Sequence, residues 1–143
     1  MPPIRAVLNA LKEQGVTTIG ATGYCFGAKT VIELAIEGEL AAGAIAHPSR
    51  LQIPTDLERL AASGSKTNFL IHSCDFDRPF PPEAQAKADE LLGDGKYQAG
   101  YKRLHWEGCS HGFAVRGDVS DPKVKAGKEG AFKATAELFK SAL

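Results

Sequence analysis

The chain has 143 residues, and its 17 Lys plus Arg balance 17 Asp plus Glu, so the formal charge is zero. With no basic stripe or acidic tail, that balance argues against nucleic acid or a membrane surface as the partner. The size fits one domain, residues 1–143, large enough to bury a core. No apolar run is long enough to span a bilayer, and the N-terminus lacks the apolar stretch and cleavage site of a secretory signal. Three cysteines without a framework-like spacing favour a reducing compartment, so a cytoplasmic location is expected.

Ile4, Val7, Leu8 and Leu11 share a helical face, and Gly15 ends that helix. The β-branched stretch 17–22 predicts a buried strand. It runs through Gly23-Tyr24-Cys25-Phe26-Gly27 into a helix over 26–37 that Gly38 closes. Residues 42–47 form a short apolar run stopped by Pro48, as in a buried parallel strand. A short helix is expected from Pro54 to Ala62, then a strand over 68–73. The stretch 74–82 is too rich in Pro to be regular. A helix over 83–92, a strand over 98–106, a long loop over 107–122 and a last helix over 122–142 complete the chain. Strand alternating with helix predicts an α/β fold, a three-layer sandwich with a mostly parallel sheet.

Gly-x-Cys-x-Gly between a strand and a helix is the nucleophile-elbow pattern, with Cys in the place of serine. The turn is sharp and strained, and side chains at Gly23 and Gly27 are both expected to collide with the neighbouring strand and helix. Cys25 sits at a helix N-terminus, where dipole and free N–H groups favour a thiolate. Functional groups of such sheets lie at the carboxyl ends of the strands. That rule selects the elbow, loop 74–82 with Asp77, and loop 107–121 with His111. The order nucleophile, acid, histidine is the one α/β-hydrolases use. Cys25 as nucleophile, His111 as base and Asp77 as the acid that orients it form one constellation.

The sequence resembles the dienelactone hydrolase family, particularly its fungal members. The resemblance is carried by Gly-Tyr-Cys-Phe-Gly-Ala-Lys at 23–29, Ala-His-Pro-Ser at 46–49, Asp-Phe-Asp-Arg-Pro-Phe-Pro at 75–81 and His-Gly-Phe-Ala-Val-Arg-Gly-Asp at 111–118. It implies an α/β-hydrolase fold and a Cys-Asp-His triad that opens lactone or ester bonds, without metal or cofactor, in aromatic catabolism or secondary-metabolite biosynthesis. Family members begin well upstream of the first helix here. Their extra strands supply a second oxyanion donor, an acidic residue that keeps the thiol poised, and part of the pocket. The chain therefore reads as a truncated α/β-hydrolase fold. In this form the Phe26 N–H is the remaining oxyanion donor, and one sheet edge is left unpaired and open to self-association. The alternatives to a working hydrolase are a weakly active or inactive relic, or a lobe that assembles with another chain.

Asp77 is favoured over Asp75 as the acid by its spacing to the Phe80-Pro81 pair. Arg116 is expected either to clamp a substrate carboxylate or to pair with Asp118 at the surface. Tyr24 flanks the nucleophile as a further substrate-side residue, although packing is expected for both the Tyr24 and Phe26 side chains. Lys29 reads as a solvated helix residue. His47 reads as a strand-end residue held by local hydrogen bonds, and His72 and His105 as structural. No Cys-x-x-Cys or His-x-x-x-His pair supports a metal site at Cys74 or Cys109.

Overall fold

Four strands alternate with helices, as the apolar runs and glycine stops require. The computed structural model describes residues 1–143. Its elements are α1 (Pro2–Glu13), β1 (Gly20–Tyr24), α2 (Gly27–Ile36), β2 (Ala42–Ala46), α3 (Thr55–Ala62), β3 (Asn68–Phe76), α4 (Pro82–Leu92), β4 (Tyr101–Ser110), α5 (Phe113–Arg116) and α6 (Pro122–Ala142). The sheet runs β1-β2-β3-β4 with every pair parallel.

Three right-handed crossovers that step in the same direction place α2, α3 and α4 on one face. There α3 packs between α2 and α4, while α6 returns across the opposite face and touches all four strands. Helices thus cover both faces, which makes three layers. The larger core lies under α2–α4 and includes Val31, Ile32, Leu57, Leu60, Phe69, Ile71, Phe80 and Leu92. Leu57 and Leu60 are fully buried, so truncating either to Ala costs about 2–5 kcal/mol. Every residue of β2 is buried, as befits a central strand covered on both sides. The smaller core under α6 holds Cys74, Cys109, Phe113 and Ala131, with Trp106 against it. Trp106 donates its indole N–H to His72 Nδ1 at 3.1 Å, which leaves His72 Nε2–H to donate to Thr135 Oγ1 at 3.0 Å. His72 is structural, as expected.

The boundaries differ from expectation where strands meet the site. β1 starts at Gly20, not Thr17, because its pairing with β2 begins at Gly20↔Ala42 and continues to Tyr24. β4 starts at Tyr101 rather than Gln98, after Gly100 turns with φ 110°. The stretches expected as irregular loops after β3 and β4 begin as strand, to Phe76 and Ser110. Their pairing is bulged: Cys74 faces Trp106, whereas Phe76 faces Ser110, so three residues of β4 answer one of β3. The short α5 occupies what reads in sequence as loop. At the other end of the sheet, β1 keeps a free outer edge. A groove of about 470 Å³ runs beside it, lined by Ile4, Val7, Leu11, Tyr24 and Phe26 among others. No helix is long and apolar enough to cross a membrane.

Candidate active site

The site lies where the carboxyl ends of β1, β2, β3 and β4 meet. Cys25 follows β1 directly and takes φ 54°, in the left-handed region where a side chain is strained. Gly23 allows this close turn. A Cβ there would stand 2.6 Å from the Gly27 carbonyl oxygen and 2.8 Å from Val31 Cγ2. Gly27 has open space at the corresponding point, so the steric requirement expected of both glycines holds for Gly23 alone. The Cys25 N–H donates to Ala46 O at 3.2 Å, which ties the turn to the end of β2.

The bulge between β3 and β4 brings the other two residues into place. The Asp75 carboxylate accepts the Gly108 N–H at 2.8 Å and contacts His105 Nε2 at 2.7 Å, so it pins the bulge. The His111 N–H donates to Phe76 O at 2.9 Å. The His111 ring then lies between Asp77 and Cys25, with Nδ1 2.8 Å from Asp77 Oδ1 and Nε2 3.1 Å from Cys25 Sγ. Asp77 fixes the ring with Nδ1 protonated and turns Nε2 to the sulfur. Asp75, the other carboxylate of that loop, does not reach His111.

Electrostatics shift both partners at the sulfur toward their charged forms. A hydrogen bond from Ser49, then one from His111, hold the Cys25 pKa below the usual thiol range against the opposing effect of burial. The Phe26 N–H also points at this sulfur and lowers it further. Burial pulls His111 down, but its bonds to Cys25 and Asp77 outweigh that, and the net shift is upward. Burial pushes Asp77 up, while the His111 contact draws it back. A thiolate facing an imidazolium is a nucleophile and a proton donor in one contact.

The sequence model of the dienelactone hydrolase family matches residues 2–143. The chain belongs to that family. It is 34% identical over 121 residues to hydrolase tropI of Talaromyces stipitatus, covering 85% of this chain and 44% of that protein. It is 30% identical over 139 residues to hydrolase pyvD of Aspergillus violaceofuscus, covering 96% of this chain and 54% of that one. Dienlactone hydrolase 1 of Gibberella moniliformis is 30% identical over 124 residues, 86% of this chain and 44% of its own length. The chain therefore spans about half the length of the curated relatives it matches. Among solved structures, a dienelactone hydrolase described from Klebsiella pneumoniae superposes with TM-score 0.71 at 14% identity, over 94% of this chain and 59% of the other. A dienelactone hydrolase-like promiscuous phosphotriesterase from metagenomic libraries gives 0.68 at 23%, over 96% and 59%. At these identities the likeness is one of fold.

The structure also places the other residues of this dienelactone hydrolase family chain that the sequence singles out. Arg116 is exposed and makes no ion pair with Asp118, whose carboxylate instead accepts the N–H and hydroxyl of Ser120. Its guanidinium lies against Gly112, where a Cβ would come within 2.6 Å of it, in a depression of about 260 Å³ shared with His111. Tyr24 is 37% exposed and lines the groove beside β1. The Phe26 side chain is 68% exposed, with the Arg50 guanidinium 5.9 Å over its ring, so it does not pack inside. Lys29 is more than a solvated residue: its ammonium meets both oxygens of buried Asp56 at 2.7 Å, and Glu33 at 3.0 Å. Among the histidines, His105 bridges Ser73 and Asp75. All three cysteines are free, and no group of three or more His, Cys, Asp or Glu is placed to hold a metal ion.

Two residues of the turn after β2 lie at the site although the sequence alone gives them no part in it. His47 is fully buried with φ 37°, and neither ring nitrogen has a partner, which corrects the expectation of local hydrogen bonds. Its ring stands edge-on to His111 at 5.1 Å and to Phe113 at 5.4 Å. An orphaned buried donor or acceptor costs about 1–3 kcal/mol. Ser49 places its hydroxyl 3.3 Å from Cys25 Sγ. The available signal was position: 47–50 is itself a strand-exit loop, and the carboxyl-end rule applies to it as to the other three.

Proposed function

We propose that this chain carries the chemistry of a cysteine-dependent hydrolase that opens ester or lactone bonds. The observation that supports it most is His111 bridging Cys25 Sγ and Asp77 at hydrogen-bond distance. In this account the Cys25 thiolate adds to the substrate carbonyl, forming a C–S bond and an oxyanion that the Phe26 N–H stabilises. The C–O bond then breaks, and His111 gives its Nε2 proton to the leaving oxygen, which in a lactone stays tethered. His111, now neutral, takes a proton from water as the water adds to the acyl-thioester. Expulsion of the thiolate completes the cycle. Water is the only co-reactant, and no electrons are exchanged with a carrier. Asp77 keeps the imidazole in the required tautomer throughout. Arg116, beside His111 and free of an ion-pair partner, is suited to a substrate carboxylate.

Replacing Cys25 by Ala tests this reading. Hydrolysis of p-nitrophenyl acetate and of an enol-lactone is expected to fall to the uncatalysed rate, and unchanged turnover would refute it. The free edge of β1 favours a second reading, in which the chain is one lobe of a larger assembly. An edge flanked by exposed Val7, Tyr24 and Phe26 is a template for pairing. Sedimentation of the purified chain is then expected to show association, whereas a compact monomer opposes it.

A further inference from the structure

We propose that Ser49 is a further catalytic residue of this site: its hydroxyl donates a hydrogen bond to the Cys25 thiolate, holding the resting anion and assisting its departure from the thioester. The proposal rests on the hydrolase reading above and adds a residue to it.

The contact is built by the main chain. The Cys25 N–H donates to Ala46 O at 3.2 Å, and the Ser49 N–H donates to Cys25 O at 3.0 Å, so the turn after β2 is laced to the elbow on both sides of the thiol. Those bonds fix Ser49 Oγ at 3.3 Å from the sulfur. The lacing strains the turn at two non-glycine residues, His47 with φ 37° and Arg50 with φ 62°. Between them Pro48 is buried, and the fully buried His47 ring backs the His111 ring without a partner for either nitrogen. A segment that carries left-handed side chains and an orphaned imidazole is not relaxed on its own account. What it secures is a hydroxyl on the nucleophile and a wall behind the base.

The charges around the thiol are few. His111 faces it directly, with Asp77 behind the imidazole. Arg50 lies over the Phe26 ring, and Arg116 lies beyond Gly112. His47 is held neutral, pushed down to about 4 by burial and by the neighbouring His111 charge. Lys29, on the helix that starts at the elbow, is committed to Asp56 and Glu33. Ser49 is therefore the neutral side-chain donor of the set, beside the Phe26 main-chain N–H, and its bond is the largest single influence that lowers the thiol pKa, with His111 adding both a bond and its charge.

This bond acts at two stages. In the free protein it raises the thiolate fraction. During acyl transfer the sulfur loses its charge and the bond weakens. When water has added and the thiolate is expelled, charge returns to sulfur and the bond re-forms in the transition state, where it accelerates the step. Removing the hydroxyl therefore raises the thiol pKa and slows breakdown of the acyl-thioester.

The test is alkylation of Cys25 by iodoacetamide across pH, read by peptide mass, in the wild type, Ser49→Ala and Ser49→Thr. A hydrogen bond to a charged group corresponds to about one to two pH units. The Ser49→Ala midpoint is expected to rise by that amount, with at least about tenfold slower alkylation below both midpoints, and Ser49→Thr is expected to restore it. Circular dichroism checks folding, and Ser49→Gly replaces Ser49→Ala if the latter does not fold. A Ser49→Ala midpoint equal to wild type overturns the inference. If the wild type then still hydrolyses esters through Cys25, the hydrolase reading stands without it. A raised midpoint in a protein with no ester turnover supports the thiolate contact and sinks the hydrolase reading instead.

Discussion

Gly23→Ala is the perturbation whose outcome follows most directly from the elbow's geometry. The added Cβ would stand 2.6 Å from the Gly27 carbonyl oxygen, 2.7 Å from the Gly27 carbonyl carbon and 2.8 Å from Val31 Cγ2, all inside the 3.4 Å at which ordinary contact begins. Two of those three atoms belong to the main chain of the first residue of α2 and cannot rotate away. Either α2 shifts or the turn opens. Overpacking of this kind costs about 1–3 kcal/mol, and rigid neighbours place it at the upper end. For a domain of this size, about 3 kcal/mol lowers Tm by roughly 10 °C. Any opening also moves Cys25 away from His111, now 3.1 Å distant, and a displacement of about 1 Å at a reacting group costs on the order of 100-fold in rate. The matched control is Gly27→Ala, whose Cβ meets nothing within 4 Å and whose helical position tolerates it. That variant is expected to match the wild type or gain up to about 0.5–1 kcal/mol, the helix preference of Ala over Gly. Thermal unfolding and esterase rates on both variants make the comparison. A Gly23→Ala protein that melts and turns over like wild type would refute the steric account of the elbow.

Asp77→Asn keeps the shape but lets the amide donate to His111, reversing the tautomer; kcat for an activated ester is expected to fall about 10³–10⁴-fold, and a loss under tenfold would contradict the role. His47 and His72 are both held near pKa 4, each chiefly by burial, against an ordinary value of 6.5. Their folded forms stay neutral while the unfolded chain takes up protons. The stability they contribute is present above pH 6.5 and is lost as pH falls toward 4, by about 3 kcal/mol each. His111, whose shift is upward, works in the opposite sense and offsets part of the loss. Urea unfolding at pH 7 and pH 4.5 is expected to show the decrease, and equal stability at both would exclude it. Asp56, 1% exposed, accepts from Lys29, Arg59 and the Gln52 N–H. Asp56→Ala strands these donors and is expected to destabilise by about 3 kcal/mol in urea unfolding, with a cost under 1 kcal/mol arguing against a buried anchor.

The element order was legible because β2 and the first part of β3 are short apolar runs and the helices before the last are each followed within two residues by a glycine. The last helix, over 122–142, matches its predicted limits because Asp121 caps it and Pro122 begins it. The strand ends were less legible. Continuation of β3 through Asp75 and of β4 through Gly108 depends on a bulge closed by the Asp75 carboxylate, a contact 33 residues apart in the chain. The same holds at the thiol. Cys25, Asp77 and His111 could be named because each has a distinctive chemistry on a strand-exit loop. Ser49 is an ordinary residue whose relation to Cys25 exists only once the β2 turn folds over the elbow. Lys29 looked solvated because its partner, Asp56, lies on another helix.

The most direct measurement of the central claim is rapid-quench mass spectrometry of the chain mixed with p-nitrophenyl acetate. The account predicts an acetyl group on the Cys25 peptide that forms with the release of p-nitrophenol, decays as water attacks, and is absent from Cys25→Ala. Ester hydrolysis that leaves Cys25 unacylated, or an acyl group formed on another side chain, would contradict it.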